Sequence, residues 1–171
     1  GTSLEEWCNE KISEMEETIL SIGSDKIGCF IAEPILASGG VIVPPSGYHQ
    51  RSLELCKKHD IVYISDETVT GFGRLGHWFA SKEVFGIQPD IITCAKGLTS
   101  GYLPMGAAII SERLIDNIKN KDGSQPFTNG YTYSCHPVAA KAALTNIDIM
   151  SRDSILEHVR KISPHFQNRL R

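Results

Sequence analysis

Two stretches decide how this chain is read: Ile61-Val62-Tyr63-Ile64, halted by Ser65-Asp66-Glu67, and Ile91-Ile92-Thr93-Cys94, followed by Ala95-Lys96-Gly97. Each is a short unbroken apolar run that stops at polar residues, the pattern of strands buried on both faces of a parallel sheet. Ile27-Gly28-Cys29-Phe30-Ile31-Ala32, ending at Glu33-Pro34, reads as an earlier strand, and Gly106-Ala107-Ala108-Ile109-Ile110 as a fourth. Helices fall between them. Leu4, Trp7, Met15 and Ile19 recur at helical spacing over about residues 3–21. Residues 48–59 suit a helix closed by Lys57-Lys58-His59, after a Gly/Pro-rich loop from Ser38 to Gly47. A short helix is expected beyond the glycine-rich stretch that starts at Gly71. His136-Pro137 opens another, proline being well placed in a first turn. The fold class is therefore α/β, a mostly parallel sheet covered by helices on both faces.

The bulk numbers exclude several classes of function. The chain has 171 residues, 41% hydrophobic and 22% charged, which suits one ordinary domain. A net charge of -3 argues against a nucleic-acid footprint, which needs a basic stripe. The one lysine cluster, Lys119 and Lys121, reads as a solvated loop. No apolar run approaches the length that spans a bilayer, and no signal peptide is visible. Cysteines 8, 29, 56, 94 and 135 form no Cys-x-x-Cys pair, so zinc is not expected. Cys29 and Cys94 lie in apolar runs and suit reduced core thiols in a cytoplasm-like compartment. Ile155, Val159, Ile162, Phe166 and Leu170 form an apolar stripe that lasts to the final residues, so the chain reads as a piece of something longer.

Chemistry in open α/β sheets collects at the carboxyl ends of strands. Asp66 and Lys96 each leave such an end, and the spacing between them suits one crossover unit, so both side chains are expected at one crevice. A lysine taken at random is a solvated surface group. Lys96 follows a buried strand and precedes a glycine, and desolvation there would lower its pKa and free the amine to attack an aldehyde. A strand-end aspartate is costly unless paired. The protonated ring nitrogen of pyridoxal phosphate is one such partner, and a capping or turn role is the structural alternative for Asp66. Gly71-Phe72-Gly73-Arg74-Leu75-Gly76 is a literal G-x-G-x-x-G, the rival dinucleotide reading. Asp66 and Glu67 intervene between strand and glycines, and they would set two negative charges against a pyrophosphate.

Asp66-Glu67-Thr68-Val69-Thr70-Gly71-Phe72-Gly73-Arg74, then Pro89 to Leu98 with Ala95-Lys96-Gly97, resembles the class III (ω-amino) aminotransferases. Glu33-Pro34-Ile35, Pro104-Met105-Gly106-Ala107 and Thr132-Tyr133-Ser134-Cys135-His136-Pro137 follow the same order, from about residue 28 to the end. The resemblance implies the large domain of a fold-type I, pyridoxal-phosphate-dependent transferase over residues 1–150. Residues 151–171 would then be a helix leading toward a small domain. It implies Lys96 as the Schiff-base lysine, Asp66 under the pyridine nitrogen, Thr68 against the ring face, and Thr132 on the phosphate of a neighbouring subunit's cofactor. A capping or turn hydroxyl is the plainer reading of Thr132. A homodimer or higher homo-oligomer with shared sites follows from the resemblance, without nucleic acid, membrane or metal. Three positions depart from the family pattern: Thr68 where valine is common, Val69 where many members have glutamine, and Ser38 where a gating glutamate often stands.

The expected activity is transfer of an amino group from an amine or ω-amino acid to a small 2-oxo acid such as pyruvate. Racemisation, decarboxylation and aminomutation share the Asp66/Lys96 machinery and stay open on these residues. An inactive fragment acting only in assembly is the alternative from a different class, and residues 1–171 by themselves are expected to be inactive.

Overall fold

The computed structural model describes residues 3–118 and 128–171; Lys119 and Lys121 lie outside the described residues. Four strands, β1 (Cys29–Ala32), β2 (Val62–Asp66), β3 (Ile91–Cys94) and β4 (Ala107–Ile110), form one sheet in sequence order. β1 pairs with β2 and β2 with β3 in parallel, whereas β4 runs antiparallel to β3, with Cys94 opposite Ala107. An antiparallel edge on an otherwise parallel sheet is common in α/β folds. Run length and composition read the same in either direction, so the orientation of β4 was not legible from its residues.

Helix α1 (Leu4–Ile22) starts on a capping box. Ser3 Oγ accepts from the Glu6 N–H at 3.1 Å, and Glu6 Oε2 accepts from the Ser3 N–H at 2.8 Å. Helix α2 (Tyr48–Lys58) begins after Gly47, whose φ of 84° is open to glycine and strained for other residues. One core joins both helices to the sheet: Ile19, Leu53, Leu55, Cys56, Ile61 and Tyr63 are buried there, with Phe30 packed against them. Trp7 and Leu4, read as part of the apolar face of α1, are exposed. Helices α3 (Ala80–Glu83), α4 (Glu112–Ile118), α5 (Pro137–Arg152) and α6 (Ile155–Leu170) complete the described elements. α5 packs on the 3-10 turn Lys96–Thr99 and on α6.

Helices flank the sheet as expected, but two residues of the edge strand β1 stay uncovered. Cys29 and Ile31 point away from the core, and both are exposed among the described residues. Cys29 is thus a surface thiol and not the core thiol expected, because alternation along β1 turns it opposite to Phe30. Cys94 is buried as expected, and all five cysteines are free. Along α6, Leu156 is buried while Ile162, Phe166 and Leu170 are exposed. No helix of the described residues is long and apolar enough to cross a membrane.

Candidate active site

Alternation along β2 assigns its residues to two sides. Tyr63 and Ser65 are buried toward the α1/α2 core, while Val62, Ile64 and Asp66 are half-buried on the other side. Asp66 is the last residue of the strand and stands opposite Thr93 of β3. Its Oδ1 accepts the Thr68 N–H at 3.0 Å. Partial burial pushes its carboxyl up. The Thr68 hydroxyl and N–H, the Thr93 hydroxyl and the Lys96 charge outweigh that, and the carboxyl is held below the usual aspartate value. The Thr68 side chain, half-buried, therefore has a role toward Asp66 in addition to the ring-facing one that the resemblance implies.

Lys96 opens the 3-10 turn Lys96–Thr99, two residues beyond β3, with φ of 41°. That left-handed backbone is uncommon for a non-glycine residue and costs on the order of 1 kcal/mol or more, so its surroundings must impose it. Gly97 explains part of this. A Cβ there would meet the Phe72 Cβ at 2.8 Å, so only glycine lets the turn close onto the 71–74 segment. The desolvation expected of Lys96 is not found: the side chain is exposed, because the turn carries it past the end of the sheet. Two clefts among the described residues border the pair. Asp66 borders a cleft of about 700 Å³ with Trp7, Ile31, Val43, Tyr48 and His49. Lys96 borders one of about 890 Å³ with Phe72, Arg74, Tyr102, Met150 and Ile155. The lysine's charge still reaches Asp66 through space.

Glu67, next in sequence to Asp66, turns the opposite way and is fully buried. Its carboxylate accepts from Thr70 Oγ1 (2.8 Å), the Ala80 N–H (2.8 Å), the Ser81 N–H (2.7 Å) and Ser81 Oγ (2.5 Å). This ties the start of α3 to the end of β2. The glycine-rich stretch between them closes on itself, Phe72 N–H bonding the Trp78 carbonyl and Gly73 N–H the His77 carbonyl. The amides of Gly71, Phe72, Gly73 and Gly76 are all occupied within the chain, and the helix that follows has four residues. A phosphate cradle at a helix start, which the dinucleotide reading requires, is absent from this segment.

His49 is buried beneath the Asp66 cleft. A carbonyl can only accept, so Nε2–H donates to the Pro34 oxygen (2.9 Å) and Nδ1 accepts from the Tyr63 hydroxyl (2.9 Å). Burial lowers its pKa and keeps the ring neutral. Ser38 is exposed at the tip of a loop closed by the Leu36–Ile42 bridge. Val69 lends its carbonyl to Arg74 Nη1 at 3.0 Å. Thr132 lies in an exposed turn before α5 and borders neither cleft.

A mixed α/β sheet with a carboxylate and a lysine at adjacent strand ends defines a narrow class of proteins. The family model for class III aminotransferases matches residues 2–171. The putrescine–pyruvate aminotransferase of Pseudomonas aeruginosa is 45% identical over 164 residues, covering 95% of this chain and 34% of that protein. A mitochondrial gamma-aminobutyrate transaminase of Oryza sativa is 43% identical over 170 residues, covering 98% and 32%. The solved ω-transaminase of Pseudomonas jessenii in complex with PMP superposes with a TM-score of 0.87 at 40% identity, covering 95% of this chain and 36% of that one. The chain belongs to the class III aminotransferase family, whose members depend on pyridoxal phosphate, and it spans about a third of the length of these relatives.

Proposed function

We propose that this protein is a transaminase that moves an amino group from an amine or ω-amino acid to a small 2-oxo acid such as pyruvate. The observation that carries the reading is the placement of Asp66 and Lys96 at the carboxyl ends of neighbouring parallel strands, with the charge of one acting on the other. The residues fit pyridoxal phosphate. An ionised carboxylate suits a protonated pyridine nitrogen, and an exposed primary amine suits an aldehyde. When bound, the cofactor supplies that aldehyde and a ring able to accept electron density. Asp66 would orient the ring, Thr68 would pack beside it, and Lys96 Nζ would hold the cofactor through its aldehyde. As a free amine, Lys96 Nζ would move the proton at the donor carbon.

The donor preference rests on Ser38, which cannot act as a gating carboxylate. The relatives at similar identity are named for different donors, putrescine and gamma-aminobutyrate, so overall identity does not select between them. Thr132, exposed and bordering neither cleft, suits a phosphate contact made to a second subunit of a homodimer. Residues 1–150 belong to the cofactor-binding large domain and 151–171 lead out of it, consistent with the helix break at Ser154, where φ is 50°. Five free thiols suit a reducing compartment, and the cytoplasm is the one proposed. A donor and acceptor screen of the full-length holoenzyme tests the assignment. Turnover with amines and pyruvate supports it, whereas racemisation or decarboxylation without amino transfer overturns it.

A further inference from the structure

Lys96 is held in a strained turn, and the group that holds it comes from elsewhere in the chain. Asn146 lies on α5, 49 residues beyond Gly97. Its Nδ2 donates to the Gly97 carbonyl at 2.8 Å and to the Leu98 carbonyl at 3.1 Å, while its Oδ1 accepts from Ser100 Oγ at 2.6 Å. The orientation of this amide is fixed by chemistry: two carbonyls can only accept, so the NH2 must face them, and the hydroxyl then donates to the oxygen. Met150 Sδ lies 3.6 Å from the same nitrogen, a weaker contact. All three strong contacts fall on residues 97–100, directly after Lys96. The opposite side of the turn is closed by Phe72 against Gly97. The segment is thus gripped between the 71–74 hairpin and one side chain of α5. Asparagine is a poor helix former in an alanine-rich helix, so its presence within α5 calls for a partner outside the helix.

We infer that Asn146 is a positioning residue for Lys96: it clamps the Gly97–Ser100 turn and thereby sets where the lysine amine stands relative to the cofactor. This rests on the reading of Lys96 as the cofactor lysine. Without the clamp the φ of 41° at Lys96 relaxes, and the amine moves while the sheet stays intact. Displacement of a reacting group by an ångström costs on the order of a hundredfold in rate.

The test uses full-length holoenzyme carrying Asn146→Asp, which keeps the shape and turns two donors into acceptors facing carbonyls, and Ser100→Ala, which removes only the bond that orients the amide. Borohydride reduction and peptide mapping are done first. A wild type with no pyridoxyl label at Lys96 overturns the reading of Lys96, and the inference with it. With label present, Asn146→Asp is expected to lower kcat by roughly ten- to a hundredfold with KM little changed. The pH midpoint of the cofactor's visible band is expected to move by about half a unit or more. Amide exchange in residues 95–103 of cofactor-free protein should rise in both variants. Ser100→Ala should show the same changes in smaller size, and it decides the matter if Asn146→Asp does not fold. Normal kcat, an unmoved midpoint and unchanged exchange in a folded, labelled variant would overturn the inference and leave Lys96 as assigned.

Discussion

The Thr68 N–H closes on Oδ1 of Asp66 at 3.0 Å, two residues back along the chain. A carboxylate in such an Asx-type turn has one oxygen committed to its own backbone, and the Thr68 and Thr93 hydroxyls hold the group further. The turn therefore does for Asp66 what packing does for a core residue: it removes rotational freedom before any partner arrives. Hydrogen bonds to charged groups contribute about 1.5–3 kcal/mol. Asp66→Ala in the full-length enzyme should accordingly weaken pyridoxal phosphate roughly ten- to a hundredfold and slow the single-turnover rate at saturating cofactor. Near-normal values for both would return Asp66 to a purely structural turn.

Lys96→Ala should abolish the pyridoxyl label left by borohydride, with the folded state retained. Its side chain is exposed and its backbone strained, so alanine removes no packing. A label appearing at another lysine would reassign the cofactor.

Glu67 gives the stability counterpart. Glu67→Ala strands the buried Ala80 and Ser81 N–H groups and the Thr70 hydroxyl. Each unsatisfied buried donor costs about 1–3 kcal/mol, so a loss of at least about 3 kcal/mol is expected by denaturant unfolding. A loss below about 1 kcal/mol would mean that water reaches these donors and replaces the carboxylate.

His49 predicts an acid limb. Burial lowers its folded pKa below the ordinary 6.5, so the unfolded chain takes up the proton first. Stability is complete above about 6.5 and falls as the pH drops below it, by up to about 1.4 kcal/mol per pH unit, until the folded pKa is reached. Asp66, also lowered, adds its own loss of stability only as the pH falls through and below about 3.8, so the fall that begins near 6.5 belongs to His49. His49→Gln should flatten the unfolding profile between pH 6.5 and the aspartate range. An unchanged slope there would assign the acid limb to other groups.

Thr132 is tested by mixing protomers. In a dimer of Thr132→Ala with Lys96→Ala, a site shared between subunits leaves one active site intact and one damaged twice. If Thr132 serves its own chain, both sites carry one lesion. Recovered activity in the mixture is expected, and its absence would place Thr132 within its own subunit.

Much of this is legible in the sequence, for a physical reason. β2 and β3 are short apolar runs cut off by polar residues, so Asp66 and Lys96 were placed at strand ends by composition and length alone. What depended on distant contacts was not legible. The Glu67 cage needs residues 80 and 81 folded back onto β2. Asn146 could be suspected only as a poor helix former inside α5. The exposure of Lys96 follows from a turn whose positive φ no local pattern announces, since glycine stands one residue later.

The reversed edge strand has a kinetic consequence. The connection that bears Lys96, residues 95–106, joins two adjacent antiparallel strands, whereas β1 to β2 and β2 to β3 are bridged by residues 33–61 and 67–90. Closing a shorter loop forfeits less chain entropy, and antiparallel neighbours need no crossover. The β3–β4 hairpin is therefore the pairing that a refolding chain reaches at least cost, ahead of the long-range parallel ladders. The loop carrying the lysine is drawn closed at the start of assembly, while the segment that grips it from α5 arrives from far along the chain and late.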